Sequence, residues 1–296
     1  MHYAGEICAL ITAVLWTGSA MTFSAATKRV GSIYVNVARL VAAAVMLLAV
    51  VVFIGGWSSV SGTQFVFLIF SGFVGFVFGD TFLFKSFEHL SVRISMLVMA
   101  LAPAFTALFA YYFLNETLTL LGIGGIAVTL AGIALVVLEQ KEDLPHVRPV
   151  SFAGLFYAVL GAAGQAGGLI LARKAFALGD INGFLATFIR VIASTVVILP
   201  MNYFAGKFSH PIEIFNRDRR ALVLMIMGAF FGPFFGVTFS LISISLTKVA
   251  VAATLMATTP IFILPLAHFF FHEKLTWRAV TGAFIAVAGI AILFLR

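Results

Sequence analysis

Three charged side chains sit where none should be cheap. Arg39, Asp80 and Arg190 each interrupt a run of apolar residues long enough to cross a bilayer. A charge at mid-membrane costs ~2.5–3.5 kcal/mol on insertion scales, so each must be offset by a partner or by function. For Arg39 and Arg190, two readings stand: an anion or carboxylate met in an internal cavity, or a structural role, as a lock onto helix-end carbonyls or by snorkelling. Asp80, in GFVFGDTF, is either a proton or substrate site or one half of an ion pair, with Lys85 or Arg93 as the expected partner. Trp16, Thr17, Ser19, Tyr157 and Gln165 add polar and aromatic atoms inside other apolar runs. Pockets for small solutes are mostly apolar with a few placed polar groups, which such residues would supply, and helix–helix hydrogen bonding is the alternative. His268, three residues from its helix end, is read as interfacial. Enzyme motifs are missing: His272-Glu273 has no second histidine four residues on, and there is no nucleophile elbow, phosphate loop or dinucleotide fingerprint. No cofactor or metal is expected. The single cysteine, Cys8, allows no internal disulfide and is read as a small buried hydrophobe.

The elements that hold these residues are solid apolar runs. A bilayer core needs ~20 apolar residues in a helix. Ile7–Thr27, Val30–Ile54, Thr63–Phe84, Ile94–Asn115 and Thr117–Leu138 make five such spans. Val150–Ala172, Ile181–Tyr203, Ala221–Thr247, Val249–Phe271 and Ala279–Leu295 make five more. Solid rather than alternating runs predict helices, not a barrel. The polar stretch Glu139–Pro149, with six ionisable residues and two prolines, marks the boundary between the sets. The expected organisation is therefore 1–138, a linker 139–149, and 150–296. Only 10% of the residues are charged, against 62% hydrophobic, and Phe alone occurs 33 times. A soluble domain is nearer a quarter charged and could not cover this much apolar surface. The 18 Lys and Arg are scattered singly, so nucleic acid is not an expected partner. Lipid headgroups account for them better. The N-terminal MHYAGE has no basic region of a removable signal, and the first helix is expected to direct its own insertion.

The two sets repeat each other. At an offset of 157 residues, Gly75 and Gly79 meet Gly232 and Gly236, Met99-Ala100 meets Met256-Ala257, and Pro103 meets Pro260. Phe105 meets Phe262, Glu116 meets Glu273, and Gly125 and Gly132 meet Gly282 and Gly289. With a gap, Arg39 meets Arg190, and Ala4-Gly5 meets Ala153-Gly154. Because five is odd, the second copy enters the membrane upside down. That is the inverted-repeat plan of secondary transporters, with the solute near the midplane. Glycines four apart (Gly75/Gly79, Gly228/Gly232/Gly236, Gly164/Gly168) predict close helix packing. Pro103, Pro233 and Pro260 predict kinks or hinges, and Glu116 and Glu273 predict caps on the following helices.

The stretch Ala102–Gly132 (APAFTALFAYYFLNETLTLLGIGGIAVTLAG) and its copy Thr259–Gly289 resemble the signature of EamA-type transporters of the drug/metabolite transporter superfamily. Leu15–Gly18 and Ala38–Leu40 match as well. The resemblance implies an all-α polytopic membrane protein, ten transmembrane helices around a central cavity, moving small solutes, often outward. One departure concerns coupling. Related small multidrug exporters carry a membrane-embedded acid in the first helix, where this chain has Trp16, with Glu6 about three turns nearer the helix end. This argues against proton-coupled cation efflux by that route.

The reading is thus a multi-pass cell-membrane transporter exporting small metabolites such as amino acids, using Trp16, Thr17, Ser19, Arg39, Asp80, Tyr157, Gln165 and Arg190. The expected partners are a small-molecule solute and lipid, with a homodimer left open. A membrane enzyme acting on a lipid-like substrate and a passive channel are the alternatives. Orientation signals conflict. With the N-terminus inside, inner loops hold 4 Lys/Arg and outer loops 12, which by the positive-inside rule favours termini outside, against the habit of the family.

Overall fold

A computed structural model describes residues 3–54, 60–114, 119–139, 151–247, 249–271 and 276–294. Its regular structure is helical throughout. The first half comprises α1 (Ala4–Val30), α2 (Ser32–Ile54), α3 (Gly62–His89), α4 (Val92–Met99), α5 (Ala102–Leu114) and α6 (Leu120–Glu139). The second comprises α7 (Phe152–Ala177), α8 (Gly183–Phe204), the short α9 (Pro211–Arg217), α10 (Arg219–Leu246), α11 (Val249–Met256), α12 (Thr259–Phe271) and α13 (Trp277–Phe294). Among the described residues, seven helices are long and apolar enough to cross a membrane, counting α4 and the start of α5 as one. The remaining three spans correspond to the shorter apolar α6 and α13 and to the broken pair α11–α12.

Helix ends follow local chemistry. Ser61 and Gln64 form a capping box at α3, and Ser91, Ser151 and Asn182 cap α4, α7 and α8 through side-chain oxygens. Asp218 accepts from Ala221 N at the start of α10. Gln64 also donates to the Ala175 and Gly179 carbonyls, tying the start of α3 to the end of α7. Glu116 and Glu273, the expected caps of the last helix in each half, lie outside the described residues.

The halves are inverted. Thr129 of α6 donates to the carbonyl of Ala286 of α13, its own counterpart at the 157-residue offset. Gly289 meets Gly125 and Thr129, whereas Gly282 meets Gly132 and Val136. Rising numbers meet falling ones, so the two equivalent helices run antiparallel. The same crossing recurs elsewhere. Along α3 and α7, Gln64 meets Ala175, Ser71 donates to the Gly168 carbonyl, and a Cβ on Gly164 would lie 2.5 Å from the Cα of Gly79. Along α10 and α1, Gly228 accepts from Ser19 and Gly5 accepts from Ser243. The glycine spacings read in the sequence thus act across the repeats, seating α3 on α7 and α10 on α1.

Two features did not follow from the hydrophobic pattern. Phe73–Gly79 in α3 and Phe230–Gly236 in α10 are π-helical, at equivalent places. Such bulges cluster at functional sites. The fourth and ninth spans, read as continuous, are interrupted at Ala100-Leu101 and Ala257-Thr258. Pro103 and Pro260 are therefore not kinks within a helix. Each is the second residue of a new helix, where a missing N–H costs nothing.

Candidate functional site

A cavity of about 170 Å³ opens between the halves, walled by α1 to α5 and by α7, α8, α10, α11 and α12. Both π segments face it, through Phe76 and through Gly232 and Pro233. Both helix breaks face it as well, through Met99, Ala100, Ala102 and Pro103 and through Met256, Ala257, Thr259 and Pro260. Discontinuous helices in matching positions of two repeats mark the solute site in many transporters. At each break the negative end of one half-helix adjoins the positive end of the next, so their dipoles largely offset. The charge of the cavity is therefore set by side chains.

Arg39, Asp80, Gln165 and Arg190 supply its polar floor, and six of the eight residues expected at the site line this cavity: Trp16, Ser19, Arg39, Asp80, Gln165 and Arg190. Arg39 Nη2 donates to Asp80 Oδ2 at 2.5 Å, and Nε and Nη2 donate to Asn36 Oδ1 at 3.0 and 2.8 Å. Asn36 lies one turn before Arg39 on the same face of α2, which preorganises the guanidinium. Its planar head also lies 4.7 Å over the ring of Phe84. Gln165 Nε2 donates to Asp80 Oδ1, so both carboxylate oxygens are held. Asp80 therefore pairs with Arg39, not with Lys85 or Arg93. Lys85 is five residues along α3 and points away, its Nζ 4.9 Å over the ring of Tyr157. Arg93 is the second residue of α4 and is buried there.

Arg190 is different. It is 4% exposed, its Cζ lies 4.8 Å over the ring of Phe76, and its Nε has no hydrogen-bond partner among the described residues. Asp80 is within electrostatic reach but makes no hydrogen bond to it. Gly75 leaves the room it uses: a Cβ there would lie 3.3 Å from Arg190 Nη2.

Two expected residues lie elsewhere. Thr17 is one step round α1 from Trp16, and its hydroxyl donates to Ala13 O at 2.8 Å. Tyr157 is more than two turns from Gln165, near the start of α7, stacked 6.0 Å from Phe82 and with its ring centre 5.6 Å from that of His89. His268 is exposed on α12, and Cys8 is only half-buried. The wall also includes residues not expected at the site from the sequence: Thr106, Ser240 and Thr259, with Met96, Met99 and Met256. The repeated Met-Ala pair was a signal that could have found two of these methionines.

Known proteins bear out the transport character of this architecture. A model of the EamA-like transporter family matches residues 3–138 and again 152–295. An uncharacterized transporter of Archaeoglobus fulgidus is 20% identical over 98% of this chain and 97% of its own length. The uncharacterized transporter YxxF of Bacillus subtilis is 27% identical over 44% of this chain, and that match spans only 40% of the relative. A solved crystal structure superposes with a TM-score of 0.69 over 99% of this chain and 96% of its own, at 16% identity, a likeness of fold alone.

Proposed function

Since the chain belongs to the EamA-like transporter family, we propose that it is a secondary active transporter of the cell membrane that exports small organic metabolites such as amino acids by alternating access. The observation that carries this is the cavity between two inverted halves, with a broken helix and a π segment from each half in its wall. Two similar halves of opposite orientation can exchange conformations, opening one chamber first to one side and then to the other. In this reading Trp16, Ser19, Arg39, Asp80, Gln165 and Arg190 contact the solute or hold the groups that do.

Counterflow in proteoliposomes tests it. Vesicles loaded with unlabelled solute should transiently concentrate the labelled form, tried across the amino acids and other small metabolites. A channel equilibrates label without overshoot, and that result would end the transporter reading. Arg39→Ala and Asp80→Asn should each abolish overshoot. Flux unchanged by both would remove the pair from the site.

A further inference from the structure

We infer that the transported solute presents an anionic head group, a carboxylate, to Arg190. This deepens the transport reading and rests on it for the identity of the cavity as a solute chamber. The argument is one of missing counter-charge. In the first repeat Arg39 has Asp80 and Asn36 as hydrogen-bond acceptors. The equivalent positions in the second repeat hold Val237 and Thr187, and the Thr187 hydroxyl donates to Gly183 O within its own helix. Asp80 spends its hydrogen bonds on Arg39 and Gln165 and makes none to Arg190, which it reaches only through space. The described lining side chains therefore carry two positive charges against one negative. A buried guanidinium held by a ring face, with its Nε unpartnered among the described residues, is a poor end state in a membrane interior. A planar carboxylate satisfies it with two parallel N–H···O bonds. Phe23, Phe84, Met96, Met99 and Met256 offer an apolar wall for an uncharged body beyond that head. A cationic solute would meet like charge.

The test is competition binding on the purified full chain in phosphatidylcholine nanodiscs. The probes are aromatic, branched and short-chain monocarboxylates, each paired with its neutral carboxamide, at up to millimolar concentration. The expected result is a preference of ~10-fold or more for the carboxylate of a binding pair. Arg190→Gln should erase it, while Arg190→Lys keeps part of it. Val237→Asp retains the arginine but places an acid where the first repeat has one, and it should erase the preference too. It serves where Arg190→Gln fails to fold. Equal binding of acid and amide, binding by none of the carboxylates, or a full preference surviving Val237→Asp each overturns the inference. A parallel set in phosphatidylglycerol nanodiscs separates a soluble solute from a lipid headgroup: loss of all carboxylate binding there assigns Arg190 to lipid and also overturns it. Binding needs no transport. Acid-selective binding without counterflow would sink the transporter proposal alone, and counterflow of neutral or cationic solutes without carboxylate binding would sink this one alone.

Discussion

Arg39 and Arg190 occupy equivalent places in two copies of one design, yet one is locked into the structure and the other is not. Arg39 is 3% exposed and tied to Asp80, Asn36 and the ring of Phe84; Arg190 is 4% exposed and rests on Phe76 with its Nε unpaired. Burial alone, then, does not say whether a charge is structural. The partner set does. Repetition fixes where a charged side chain enters the membrane, while divergence at a neighbouring position, Asp80 against Val237, decides what that charge is for.

The largest effect expected from this contrast is in stability. Arg39→Met strands Asp80 and should cost ~3–5 kcal/mol, whereas the pair Arg39→Met with Asp80→Leu should recover most of that loss. Arg190→Met strands no acid and gives up one ring contact, so it should stay within ~1–2 kcal/mol of wild type. Thermal unfolding in detergent reads all three, and equal losses for the two arginines would erase the distinction. The next contrast is between Gln165 and its repeat counterpart Trp16. Gln165→Leu removes a donor from a buried carboxylate and should cost ~1–3 kcal/mol; Trp16→Leu loses packing but leaves no charge without its donor, so their double-mutant coupling to Asp80→Asn should be large only for Gln165.

Backbone contacts between repeats give a third pair. Gly164→Ala drives a methyl to within 2.5 Å of the Gly79 Cα and should cost ~1–3 kcal/mol. Gly124→Ala, in α6 with open space around it, should be neutral or gain up to ~1 kcal/mol. The smallest effect is at the helix entrances. Asp218 caps α10 where its counterpart Ser61 caps α3. The hydrogen bond from Arg29, helped by the Ala221 N–H, holds the Asp218 carboxyl below the usual carboxylate range. Its folded value is the depressed one, so its stabilisation is complete above the ordinary carboxylate pKa and is lost as pH falls through the lower, folded value. Melting temperature followed from neutral to acidic pH should show this loss, and Asp218→Asn, still able to cap, should flatten it. Ser61→Ala should weaken α3 equally at every pH.

Much of the architecture was legible because it was written twice. The glycines at Gly75/Gly79 and Gly232/Gly236 and the prolines at Pro103 and Pro260 could be paired by eye, and an odd number of spans forces the inversion. The partner of Asp80 was not legible. Arg39 and Asp80 are on different helices, and apolar periodicity reports which face is buried, not which side chains meet across it. Lys85 and Arg93 were nearer along the chain, and nearness along a helix proved the wrong guide. The π segments were hidden for a related reason: one extra residue per turn barely disturbs a hydrophobic run with no polar face to keep time. The breaks at Ala100-Leu101 and Ala257-Thr258 were missed because a proline inside an apolar stretch reads equally as a bend and as the first turn of a new helix.

The contact of Thr129 with Ala286 has a geometric consequence. Two residues that are each other's counterparts can touch only at the pseudo-twofold axis, so that axis passes between α6 and α13. Any rearrangement that swaps the conformations of the two halves maps this seam onto itself. Under the proposed exchange this seam would be the pivot: the walls around Arg39 and Arg190 would trade shapes while Thr129 and Ala286 kept their contact.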